Sequence, residues 1–163
     1  MRIGTVLAIV MLATLSSSAQ TPSLQLSIQK KYDEALVAMH NAKTKADIEN
    51  AVDRMDVPEW VANLPDGTTM TRPQSQEMLL GLLAVPPEKR PTVSQHIIYL
   101  NKTGWNILVV YWVFRPSTDG LVGSLARDTW VETSQGLRRI RHEKLFPDRP
   151  LIEQGKPVVL PVN

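Results

Sequence analysis

The chain has no cysteine among its 163 residues. That excludes a disulfide framework, a cysteine nucleophile, a thiolate metal site and a lipid-modified cysteine at a processing site. Charge of either sign is barely in excess. The formal net charge is +2, and one of the positive charges, Arg2, sits at the very start. The nearest thing to a basic block is Arg138, Arg139 and Arg141, which Glu143 dilutes, so the electrostatic footprint of a nucleic-acid binder is missing. Histidine is scarce: His40, His96 and His142 are the only three. None stands in a His-x-x-x-His or His-Glu-x-x-His spacing, and no metal site is expected. There is no glycine-rich phosphate loop, no serine in a nucleophile-elbow context and no internal repeat, and no cofactor is expected.

What is present suffices for one ordinary domain with a core, since 43% of the residues are hydrophobic. The first stretch reads as a targeting signal. Arg2 is followed by an apolar run over 3–15, broken only by Gly4, Thr5 and Thr14, and then by Ser16-Ser17-Ser18-Ala19. We expect a signal peptide over 1–19, cleavage after Ala19 and a periplasmic or secreted product. The run is shorter than the ~20 apolar residues a bilayer span needs, so no stable membrane anchor is expected.

After the leader, Leu24, Ile28, Tyr32, Ala35, Leu36 and Met39 recur at helical spacing. They predict a long amphipathic helix over about 23–42, starting at Thr21-Pro22-Ser23. Thr44 and Asp47 form a capping-box signature for a second helix, with Ile48, Val52 and Met55 on one face. A strand over 59–64, a Pro65-Asp66-Gly67 turn and a return strand over 68–70 follow. Thr71, Pro73 and Gln74 open a third helix, whose buried stripe should be Met78, Leu79, Leu82 and Leu83. The rest is strand-rich: 93–100, 105–115, 121–133 and 137–146. The last two form a hairpin through Ser134-Gln135-Gly136. Prolines at 147, 150, 157 and 161 discourage regular structure in a tail over 147–163.

One strand is apolar on both faces. Trp105, Ile107, Val109, Tyr111 and Val113 alternate with Leu108, Val110, Trp112 and Phe114. A strand with one face in water would not read so. One face should meet the helices. The other should meet the tail, a helix or a second copy of the chain, for which Trp112 and Phe114 would be the anchors of a homodimer.

Three helices followed by a meandering antiparallel sheet is an α+β pattern. Trp60, Pro65-Asp66-Gly67 and Thr71-Arg72 are followed by Asp128-Thr129-Trp130, Gly136, Arg138 and His142-Glu143. In that order and spacing, 20–146 resembles the nuclear transport factor 2-like superfamily, in its exported SnoaL-like branch. The resemblance implies a cone: a strongly curved antiparallel sheet wrapped around the long first helix, with two further helices, an apolar interior and dimers through the outer sheet face.

It also implies a role for Asp128. In the ketosteroid isomerase branch an acid at the matching place faces the cone and stays protonated, so Asp128 would face the pocket with a raised pKa. The blander account ties it to a nearby arginine or a backbone amide. The isomerase's base would fall at Leu64 and its helix tyrosine at Leu36, so that mechanism has no base here. Strand alternation would put Arg139, Arg141 and Glu143 on the face of Asp128 and Trp130, with His142 opposite. Three readings follow. One is a domain binding a small apolar ligand through Tyr32, Val109, Tyr111, Val113, Asp128, Trp130 and Arg141. Another is a lyase or isomerase using Asp128 with His96, His40 or Tyr111. The third is a structural dimerisation module whose cone is filled by side chains.

Overall fold

A computed structural model describes residues 4–118, 120–153 and 156–157, with side chains described over 22–118 and 120–151. The leader and its cleavage point lie outside the described side chains. Helix α1 is Gly4–Asn41, α2 is Lys45–Met55 and α3 is Arg72–Leu80. The strands are β1 (Asp56–Asn63), β2 (Thr69–Thr71), β3 (Ser94–Thr103), β4 (Asn106–Ser117), β5 (Gly120–Thr133), β6 (Gly136–Glu153) and β7 (Lys156–Pro157). They make one sheet in the order β2-β1-β6-β5-β4-β3, with β7 on β6. The sheet stays open between the β2 and β3 edges. It is mixed, because β1 runs parallel to β6 while the other pairs are antiparallel.

The helices begin and end for local reasons. Thr44 and Asp47 close their capping box: the Asp47 amide donates to Thr44 Oγ1 (3.2 Å) and the Thr44 amide to Asp47 Oδ2 (2.9 Å). Ile48, Ala51, Val52 and Met55 then turn inward. At Thr71 the backbone amide donates to Gln74 Oε1 (2.8 Å), with Pro73 in the first turn. Two expectations fail. Helix α1 runs through Pro22 rather than starting beside it. Helix α3 stops at Leu80 and tightens into a 3-10 turn, Gly81–Ala84. That tightening breaks the helical stripe, since three residues per turn no longer align positions four apart. Met78 is 61% exposed, and Leu79, Leu82 and Leu83 are half-buried.

The core lies between α1 and the inner sheet face. Ile28 and Tyr32 of α1 meet Ile107, Val109 and Tyr111 of β4 and Ala126 and Trp130 of β5, with Met55 of α2 beside them. This is the expected sheet wrapped on the first helix. Register shifts between Ile97 and Tyr99 and at four places along β5 and β6 supply the bends. Helix α1 also closes an edge. Gln29 Nε2 donates to the Gln95 carbonyl (2.7 Å), and the Ile97 amide donates to Gln29 Oε1 (3.2 Å). One side-chain amide thus pairs with β3 as a strand would, blunting an open edge.

The tail differs from expectation. Strand β6 continues through Pro147 and Pro150, paired with β5 as far as Glu153. Its pairing with β1 ends at Glu143, so beyond that point one side of β6 lacks a β1 partner, and proline is tolerated on such an edge. Leu151 lies over Gly123 on the outer face, so close that a Cβ there would sit 2.4 Å from Leu151 Cδ1. It helps cover Phe114, 3.5 Å from the same point. Trp112 and Phe114 stack on one another, ring centroids 6.0 Å apart, and both are half-buried.

Candidate functional site

Register decides which side chains meet. Val109 pairs with Asp128 and Asp128 with His142, while Ile107 pairs with Trp130 and Trp130 with Arg139. Between Thr129 and Trp130 the β5–β6 ladder shifts by one residue, so Thr129 faces Arg141 and Ile140 is the extra residue. One inserted residue inverts the alternation beyond it. Arg139 therefore stays inside beside Trp130, and His142 joins it beside Asp128. The expectation that Arg141 and Glu143 share that face is overturned. Arg141 is exposed, and Glu143 pairs with Arg127 instead.

Asp128 is the centre of the cluster and is 0% exposed. The Tyr32 hydroxyl donates to its Oδ2 at 2.7 Å, and Trp130 Nε1 donates to that hydroxyl at 3.1 Å. Arg139 Nη1 reaches Oδ2 at 3.2 Å. His142 Nδ1 lies 2.8 Å from Oδ1, with the Tyr111 hydroxyl 3.3 Å from the same nitrogen. On its other side Arg139 grips Asp56 with two bonds, Nε to Oδ1 at 2.7 Å and Nη2 to Oδ2 at 3.2 Å. Its guanidinium carbon sits 5.1 Å from the centre of the Trp60 ring. One guanidinium thus bridges two buried carboxylates from β1 and β5.

The electrostatics reverse the expected protonation of Asp128. Burial pushes its carboxyl up, but the Arg139 charge, His142 and the Tyr32 hydroxyl outweigh burial and hold it below the usual carboxylate range. It is an anion here, not the neutral acid that the resemblance implied. Being an acceptor only, it requires His142 to carry its hydrogen on Nδ1. Burial would lower the Arg139 pKa, yet Asp128 and Asp56 hold it well above its ordinary value. Burial pushes the Asp56 carboxyl up against the pull of that same arginine. Burial, then the Asp128 charge, pushes the Tyr32 and Tyr111 hydroxyls well up, so both stay protonated.

The expected site residues therefore converge without enclosing a space. Tyr32, Val109, Tyr111, Asp128 and Trp130 have essentially no surface that water can touch. They fill the interior rather than line it. Val113 is half-buried on the same strand. Of the expected partners for Asp128, only Tyr111 stands near it. His96 stacks against Phe114 (5.6 Å), and His40 lies in the last turn of α1. Sequence reasoning misses Asp56 and the inward turn of His142. Asp56 ends α2 and begins β1, a junction where an acid has no helical reason to be. The bulge at Ile140 leaves no mark in composition.

Open space lies instead among the helices. A groove of about 420 Å³ runs between α1, α3 and the segment before β3. Leu36, Met39, Leu79, Leu82, Pro91 and Val93 wall it. Arg90 also borders it, but its guanidinium is occupied. Nη1 donates to the carbonyls of Met39 (3.1 Å), His40 (2.7 Å) and Ala42 (2.8 Å), and Nε to that of Val85 (2.8 Å). It closes the end of α1, where the helix leaves carbonyls unpaired. A second cleft, about 580 Å³, lies between α1 and α2. Among the described residues no group of three or more histidine and carboxylate side chains is placed to hold a metal ion.

No protein-family profile matches the chain, and no curated protein matches it either. Solved structures do. A nuclear transport factor 2-like protein of unknown function from Pseudomonas aeruginosa is 12% identical with a TM-score of 0.56, over 74% of this chain and 98% of that one. The protein Aln2 from a Streptomyces species is 18% identical with a TM-score of 0.55, over 77% and 92%. A nuclear transport factor 2-like protein with a cystatin-like fold from Novosphingobium aromaticivorans is 15% identical with a TM-score of 0.55, over 82% and 88%. At such identities it is the architecture that is shared, and this chain has the nuclear transport factor 2-like fold.

Proposed function

We propose that the chain is an exported ligand-binding domain without catalytic activity, whose ligand is small and apolar and rests in the groove between α1 and α3. The observation that carries this reading is the groove itself. Its volume of about 420 Å³ falls within the roughly 300–1,000 Å³ of small-molecule sites. Its walls are mainly aliphatic, with His40, Asn41 and Thr92 among them, and its one arginine is committed to backbone carbonyls. The Asp128 cluster argues against acid–base chemistry. A carboxylate that is ionised, enclosed and already accepting from Tyr32, Arg139 and His142 has neither a proton to give nor a path to a substrate.

Titration with the neutral fluorophore N-phenyl-1-naphthylamine tests this. Leu82→Asp places a charge against the groove and is expected to weaken binding by about tenfold or more. Arg141→Ala, far from the groove, should leave it unchanged. Equal binding by wild type and Leu82→Asp, or none by wild type, would overturn the reading.

Export and self-association complete the proposal. The apolar run over 3–15 followed by small residues supports a cleaved leader. Among the described residues, no helix is long and apolar enough to cross a membrane. The half-exposed outer-face aromatics, Tyr99 and Phe146, with Trp112 and Phe114 between them, support a dimer through that face. Protein purified from the periplasm should show the intact mass of residues 20–163 and scatter light at twice that mass. A monomer, or a chain retaining residues 1–19, would contradict one half of the proposal or the other.

A further inference from the structure

The cleft between α1 and α2 differs in chemistry from the α1–α3 groove. Its floor is apolar, made by Ala35, Ala38, Ala51 and Met55, and its charged lining is Lys31 and Arg54 with Asp33 and Glu34. Neither cation has a carboxylate partner among the described residues, although ion pairs are formed nearby. Glu34, on the same rim, is taken by Lys30 at 3.7 Å. Asp33 accepts from Gln29 Nε2 at 2.9 Å. Burial, then the like charge of Arg138, holds the Lys31 ammonium below the ordinary lysine value, with Glu34 pulling the other way. Lys31 and Arg54 are thus the two side chains of the lining that can meet an anionic head, while Asp33 and Glu34 are engaged on the same helix.

The two spaces also adjoin. Val37 and Asn41 line both of them. Val37 is an apolar residue left 60% exposed, and the Asn41 amide is folded back onto the Val37 carbonyl at 3.0 Å. From Lys31 to Asn41 the helix advances about 15 Å at 1.5 Å per residue. An extended chain of about a dozen carbons covers a similar length.

We infer that the two spaces form one trough for a single-chain fatty carboxylate, its chain lying across Val37 into the α1–α3 groove and its head at Lys31 and Arg54. The inference rests on the proposal that the α1–α3 groove holds an apolar ligand and adds to it the class of that ligand. Size and charge support it together. An aliphatic trough alone would accept an alcohol or an alkane equally well, and two unpaired cations at one end give a carboxylate the advantage.

Displacement of bound N-phenyl-1-naphthylamine by dodecanoate and by dodecanol, on the full chain at pH 7.5, tests it. Wild type should prefer dodecanoate by about fivefold or more, the combined effect of two partly exposed ion pairs. Raising the salt concentration should erode that preference. The Lys31→Glu/Arg54→Glu double variant should abolish it while binding dodecanol as wild type does; circular dichroism confirms that the variant is folded. Equal affinity for the two compounds in wild type sinks the carboxylate inference and leaves the apolar groove standing. Binding of neither sinks both. Flotation with phosphatidylglycerol vesicles, without binding of dodecanoate below its micelle concentration, would mean that the cations read a membrane surface, and it overturns the inference too.

Discussion

Asparagine in place of Asp128 is expected to cost about 3–5 kcal/mol of unfolding free energy, the range for removing one partner of a buried charge pair. The change is nearly isosteric, so the loss is electrostatic. Arg139 keeps Asp56 (2.7 Å) but loses its second counter-charge (3.2 Å), and the single amide oxygen can serve either His142 or the Tyr32–Arg139 side, not both. Urea unfolding at pH 7 measures the loss, and a value under about 1 kcal/mol would mean that the network adds little.

Acid titration supplies an independent check. The folded pKa of Asp128 is depressed, so its stabilisation is present above the unfolded value of about 3.9 and is lost as pH falls through the folded one. Asp56 has its folded pKa raised and works the other way: its contribution is present at low pH and is lost as pH rises through its folded value. Wild type should therefore lose stability below about pH 4 more steeply than Asp128→Asn. Removing Arg139 as well, by Arg139→Met, should cost less than the two single losses added together, because the residues act through a shared contact.

Methionine in place of Arg90 carries the second large effect. The side chain keeps an unbranched apolar stem and loses four donated hydrogen bonds. The carbonyls of Met39, His40 and Ala42 at the end of α1 are left without that donor. We expect a loss of about 2–4 kcal/mol, the cost of several buried acceptors left unpaired after removal of a charged donor. Lysine should not rescue it, because a point charge on a flexible stem cannot serve the Val85 carbonyl and the helix end at once. Thermal unfolding of Arg90→Met and Arg90→Lys decides this, and recovery by lysine would show that charge alone suffices. The groove wall is held by the same residue, so Arg90→Met should also weaken fluorophore binding.

Much of the fold is legible in the sequence because local signals agree. The spacing of Leu24, Ile28 and Tyr32 marks the core face of α1. The Thr44–Asp47 and Thr71–Gln74 pairs mark the starts of α2 and α3. The two-sided apolar pattern of β4 marks a strand buried on its inner face and partly covered on its outer one. Two-residue periodicity places Asp128 and Trp130 inside together, as the structure has them. What stays hidden depends on long-range pairing. His142 reaches Asp128 only because Ile140 is an extra residue opposite β5, and an alternation rule carries no information about where a ladder slips. The parallel seating of β1 on β6 is equally silent in the sequence, and with it the part played by Asp56. The filled interior follows from side-chain volume at the meeting of Tyr32, Tyr111 and Trp130, which no spacing reports.

The seating of β1 on β6 also bears on the order of assembly. Asp56 and Arg139 are 83 positions apart, and closing so long a span before any contact rewards it slows folding. The first hairpin has no seat in the sheet until β6 has been made. A chain emerging from its amino end would hold that hairpin and its acid waiting until most of the sequence had followed.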